Sequence, residues 1–218
     1  MQKIGFCERY MLTTAVLNRT KELTRRLEKA LERAVTEYEK KWGKSFSIVS
    51  QYYDKGFDKI GICTPNEPIY LSTRYKLGEV VAVAQSYEEI YIDITDDLEW
   101  FKKVEDAHGG KDYCLLAGTD NKMFVKADLM PHQIQITGVR IERLQAISDE
   151  DCLKEGVVKF DYGFFVPNLY RIPSRGVLYS YKTPREAFAA LINRPGVGRK
   201  GLWESNPWVV VYEFKLVK

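Results

Sequence analysis

The densest concentration of reactive side chains lies between residues 15 and 26, AVLNRTKELTRR. Lys21 and Thr24 are three apart, so on one helical turn they would share a face, and Arg25 and Arg26 follow at once. Two guanidinium forks beside an ammonium and a hydroxyl suit a phosphate or the polar edge of a base. The same residues also fit a plain helix start with solvated charges, and spacing alone leaves both readings open. Metal chemistry is poorly supplied. His108 and His132 are the two histidines, and Cys7, Cys63, Cys114 and Cys152 are scattered with no C-x-x-C pair. No metal site of recognisable spacing and no cofactor is expected.

The elements that must position those residues come from an ordinary globular composition. The 218 residues carry a 45% apolar fraction and a net charge of +3, too small to argue for nucleic acid unless the charge is clustered. One domain over 1–218 is expected, with insertions near 27–66 and 157–182. The cysteines read as reduced, mostly buried thiols of a cytoplasmic protein. No apolar leader and no bilayer-spanning run is expected from this pattern.

Residues 8 to 19 have helical spacing. Leu23, Leu27, Ala30, Leu31, Ala34, Val35, Tyr38 and Trp42 form one apolar stripe, which predicts an amphipathic helix over about 22 to 43 that packs on a sheet or a partner. Residues 45 to 68 read as loop with short strands. Val80 to Val83 reads as a buried strand, and Ile90, Ile92 and Ile94 as a half-buried one. A short helix near 97–104, opened by Thr95, and a hairpin with arms at 113–117 and 123–126 are expected next. The strand from Gln133 to Leu144 changes parity at Thr137-Gly138, as at a β-bulge. Ser148 with Asp151 starts a two-turn helix that Gly156 ends, strands fall around Phe164 and Tyr179, and Thr183-Pro184-Arg185-Glu186 opens another helix. A basic glycine-rich loop, 194–201, precedes the last strand, 207–217.

Several blocks together resemble the ASCH domain, a PUA-like β-barrel family, in its phage and prophage form. They are KELTRR from Lys21, YKLGEVVAV from Tyr75, Met130-Pro131 with the run from Ile136 to Gly156, and WESNPWVVVYEF from Trp203. They occur in order over nearly the whole chain. The resemblance implies an α+β fold built on a PUA-like barrel with flanking helices and the added N-terminal helix. It also implies a cleft for RNA, single-stranded nucleic acid or a modified nucleoside.

Lys21, Thr24, Arg25, Arg26 and Gln85 would line that cleft, with Tyr75 and Tyr87 as stacking residues. In the branch of the family that hydrolyses N4-acylated cytidine, Lys21 would activate Thr24 as catalytic nucleophile. Gln85 stands where that branch has glutamate and cannot exchange a proton near neutrality, so binding is expected ahead of catalysis. Arg19 and His132 depart from the family pattern as well. An accessory protein whose surface takes a protein partner is the third reading. Aromatics and cations alternate over Phe160, Tyr162, Phe164, Phe165, Tyr170, Arg171, Arg175, Tyr179, Tyr181 and Lys182, as strand residues facing the core or as an extension of the cleft.

Overall fold

The computed structural model describes residues 1–93, 98–169 and 180–218. The chain opens with strand β1 (Lys3–Gly5), a 3-10 turn at Glu8–Tyr10 and helix α1 (Leu12–Leu17). The helix expected from residue 22 is two elements: strand β2 (Leu23–Arg26) and helix α2 (Lys29–Trp42), with Glu28 extended at the helix cap. Pairing outranks helical periodicity here, because Leu23, Thr24 and Arg25 are all buried against the neighbouring strand and its surroundings. Strand parity separates Thr24 and Arg26 from Leu23 and Arg25, and the shared helical face of Lys21 and Thr24 disappears.

Strands β3 (Ser50–Asp54), β4 (Lys59–Cys63) and β5 (Pro68–Leu71) form a small antiparallel sheet, followed by β6 (Val80–Ala84). Where Ile90 and Ile92 predicted a strand, the chain forms helix α3 (Tyr87–Asp93). The cause is a reciprocal cap: Ser86 N–H donates to Glu89 Oε2 (2.8 Å) and Glu89 N–H donates to Ser86 Oγ (3.2 Å). Ile94, Thr95 and Asp97 lie outside the described residues. Helix α4 (Leu98–Ala107) follows. The hairpin expected over 113–126 is instead irregular chain with short 3-10 turns at Tyr113–Leu115 and Ala127–Leu129.

Strand β7 (Gln133–Arg143) carries the bulge: Glu213 faces Gly138 while Phe214 faces Ile136, which leaves Thr137 as the extra residue. Helix α5 (Asp149–Lys154), strands β8 (Val158–Phe160) and β9 (Gly163–Phe165), helices α6 (Pro184–Ile192) and α7 (Leu202–Ser205), and strand β10 (Trp208–Leu216) complete the chain. The strand expected around Tyr179 lies outside the described residues.

The main sheet has the order β1-β6-β7-β10-β2, with β1 parallel to β6 and its other neighbours antiparallel. It is α+β, as expected, but the expected barrel is not formed. Among the described residues β1 pairs only with β6 and β2 only with β10, so the sheet stays open between its two edge strands. The edges approach where each ends, and a side chain joins them in place of a ladder: Arg26 Nη2 donates to Gly5 O (2.7 Å).

One large apolar cluster lies around this sheet. A smaller one, built from Ala82, Ala84, Tyr87, Ile90, Trp100, Phe101, Val104, Val125 and Met130, seats α3 and α4 on the far side of β6. Among the described residues no helix is long and apolar enough to cross a membrane. The thiols depart from expectation: Cys152 is buried, Cys7 and Cys63 are partly exposed and Cys114 is exposed.

Candidate functional site between the two edge strands

Two hollows open where β1 and β2 fail to pair. The smaller, about 40 Å³, is bordered by Lys21, Thr24, Arg25, Arg26 and Glu155. The larger, about 500 Å³, is bordered by Lys3, Arg26, Arg74, Tyr75 and Lys122, with Glu8, Glu89 and Asp120 on the same walls. Gly5, Phe6, Cys7, Gly196 and Arg26 border both, so Arg26 stands in the partition. Four of the expected site residues therefore meet at one place, and Tyr75 joins them in the second hollow. Gln85 and Tyr87 do not. Gln85 is buried directly after the end of β6, and its backbone N–H points at Met130 Sδ (3.5 Å). Tyr87 is wholly buried in the smaller cluster against Trp100 and His108, so no base can stack on it.

Lys21 is the most constrained member. Its Nζ donates to Leu23 O (2.8 Å), Glu155 O (2.8 Å) and Glu155 Oε2 (2.6 Å), so all three ammonium protons have acceptors. Burial pulls its pKa below the ordinary lysine value, and the Glu155 carboxylate opposes that pull. As arranged, Nζ is a bonded cation with no lone pair to take a proton from Thr24. Arg25 is equally committed. Its Nε donates to Glu142 (2.8 Å), Nη2 to Asp151 (2.8 Å) and Nη1 to Glu155 (3.2 Å). Arg140 joins Glu142, Asp151 and Glu213 into the same network. Strand pairing makes this network: Arg25, Arg140, Glu142 and Glu213 share one face of β2, β10 and β7.

Arg26 differs from both. Its Nη2 bonds Gly5 O and its guanidinium lies over the Phe6 ring (5.6 Å to the centroid), but its Nε is buried with no hydrogen-bond partner. Burial pulls its pKa below the ordinary arginine value. Arg74 lies over the Tyr75 ring (5.3 Å), while Tyr75 itself is buried and donates its hydroxyl to Lys3 O (3.0 Å). Tyr75 thus carries an arginine on its face in place of a base.

The remaining wall is latched. Lys3 Nζ donates to the carbonyls of Lys122 (3.3 Å), Met123 (2.7 Å) and Val125 (2.6 Å), and Lys122 Nζ donates to Phe6 O. The glycine-rich loop contributes Gly196, whose positive φ of 88° and approach to Cys7 leave no comfortable place for a side chain.

Sequence reasoning missed Glu155, Lys3, Phe6, Arg74 and Lys122. Glu155 stood in view as the residue before the glycine that ends α5, but nothing local links it to a lysine 134 positions earlier. In the aromatic segment Phe160 and Tyr162 are exposed, and Tyr170, Arg171, Arg175 and Tyr179 lie outside the described residues. Among the described residues no group of histidine, cysteine or carboxylate side chains could hold a metal ion. No family model, no curated protein and no solved structure matches this chain.

Proposed function

We propose that the hollow between β1 and β2 binds a nucleotide unit, presented by RNA or another single-stranded nucleic acid or carried as a modified nucleoside. The observation that carries this reading is the Arg26 Nε donor, buried in the partition and left without an acceptor. A buried unsatisfied donor costs about 1–3 kcal/mol, and a ligand oxygen placed there recovers it. The volume of about 500 Å³ suits a ligand of nucleotide size, and the arginines resting on Phe6 and Tyr75 supply forked donors. The ASCH resemblance implies the same ligand class.

A titration with short RNA, short single-stranded DNA and cytidine derivatives at two salt concentrations tests it, with Arg26→Ala alongside. The expected result is binding that weakens with salt and falls at least about tenfold in the variant. Absence of binding at low salt would replace this reading with a protein partner. Hydrolysis of N4-acylated cytidine would require Lys21 to lose a proton that three acceptors hold. No turnover of N4-acetylcytidine is therefore expected, and a rate abolished by Thr24→Ala would reverse that conclusion.

A further inference from the structure

We infer that Arg26 and Arg74 together form a seat for a phosphomonoester, so that the ligand is a mononucleotide or the phosphorylated end of a strand. The inference rests on the nucleotide reading above and narrows it. Both guanidiniums border the larger hollow, each braced by its own aromatic ring. Arg26 keeps a buried unbonded Nε. Arg74 is exposed, and among the described residues no carboxylate lies within ion-pair distance of its guanidinium. Glu28, on which both arginines act electrostatically, spends its oxygens on the Arg74 backbone N–H and the Tyr212 hydroxyl. The Arg74 charge disfavours the charged form of Arg26, adding to the burial that already acts on it. A phosphate between them relieves both effects, because its oxygens accept from two forks at once.

The charge around the hollow favours the end of a strand over its middle. The walls come from β1 and the turn after it, from Arg26, from Arg74-Tyr75, from the latched 120–123 segment and from Gly196. A continuous strand would need a way in and a way out past walls that also carry Glu8, Glu89 and Asp120. With four cations against three carboxylates, those walls repel an extended line of phosphates about as much as they attract it. A single dianion at the arginine pair avoids that repulsion. The phosphate can sit at a 5′ end, at a 3′ end or on a free nucleotide, and the chemistry at the seat is the same.

The test is a fluorescence-anisotropy titration with hexauridylate bearing a 5′-phosphate, a 3′-phosphate or hydroxyls at both ends, with uridine monophosphate and inorganic phosphate as competitors. At least one phosphorylated end is expected to bind about tenfold or more tightly than the hydroxyl form. Arg74→Ala, a surface change that leaves the fold intact, should reduce that preference to near unity while hydroxyl-ended RNA still binds. Arg26→Lys should weaken it partially. The preference should also shrink between pH 7.5 and pH 5.5 as the monoester takes up its second proton, with its pKa near about 6. Competition by uridine monophosphate or by inorganic phosphate tells a free nucleotide from a strand end. Equal binding of all three oligonucleotides overturns the phosphate seat but keeps the nucleotide site. Failure of all three to bind overturns both.

Discussion

At the scale of single residues, Glu155 carries two cations at once. Its carboxylate takes Lys21 on one oxygen and Arg25 on the other, with only 6% of the side chain exposed. Removing one partner of a buried pair costs about 3–5 kcal/mol because the survivor stays buried and uncompensated. Glu155→Ala leaves Lys21 buried without its carboxylate and takes one of three from Arg25, which keeps Glu142 and Asp151, whereas Lys21→Met leaves Glu155 still paired with Arg25. Urea unfolding should therefore show the larger loss for Glu155→Ala.

Glu28 gives a pH signature. Burial raises its pKa above the ordinary carboxylate value, and hydrogen bonds from Tyr212 and the Arg74 backbone partly offset that rise. The folded protein then holds this proton more tightly than the unfolded chain. Its stabilising contribution is complete below the unfolded value of 4.5 and is lost as the pH rises through the folded value. Glu28→Gln removes the titration. Wild type should gain stability relative to the variant as the pH falls from neutrality toward 4.5, with no further change below. Paired denaturation curves across that range check it.

At the scale of elements, caps decided what hydrophobic spacing left ambiguous. Ile90, Ile92 and their neighbours fit a strand by alternation, yet Tyr87 and Ile90 are the pair buried, three apart on one helical face, while Tyr91 and Ile92 are exposed. The Ser86–Glu89 box fixes the helix start. Ser86→Ala should cost about 1 kcal/mol and loosen α3, measured by thermal unfolding and by faster amide exchange over residues 88–91. The box at Thr183 and Glu186 works in the same way at α6, where the sequence pattern and the structure agree.

At the scale of the whole molecule, the open sheet and the split core matter most. The large cluster spans the five-stranded and three-stranded sheets and α2, α5 and α6, while α3 and α4 rest on the smaller cluster around Tyr87 and Trp100. Regions with fewer buried contacts open at lower free energy than the body they dock on. Amides of α3 and α4 should exchange faster than those of β7 and β10, and Trp100 fluorescence should change before global unfolding. Coincident loss of all protection would show the two clusters to be one cooperative unit. The larger hollow is also bordered by Ala84, Glu89 and the 120–123 segment, so ligand binding should raise protection in this less stable part.

By itself the sequence determined the α+β class, the Thr183 cap, the bulge at Thr137, the existence of an amphipathic helix (expected over about 22 to 43, formed over 29–42) and the association of Lys21, Thr24, Arg25 and Arg26. Each of these rests on neighbours within a few residues, where propensity, capping and parity act. Tertiary structure decided the rest. Leu23–Arg26 became a strand because β10 offered it a ladder and a buried place. Lys21 and Arg25 became bonded structural cations because Glu142, Asp151 and Glu155 arrive from more than a hundred residues away. Arg26, the next residue along, faces the other side of the same strand, where the sheet stays open and its guanidinium bonds Gly5 O in place of a carboxylate. Local patterns record which side chains are close in sequence. Only the pairing of distant strands fixes which charges meet a partner and which are left facing the hollow.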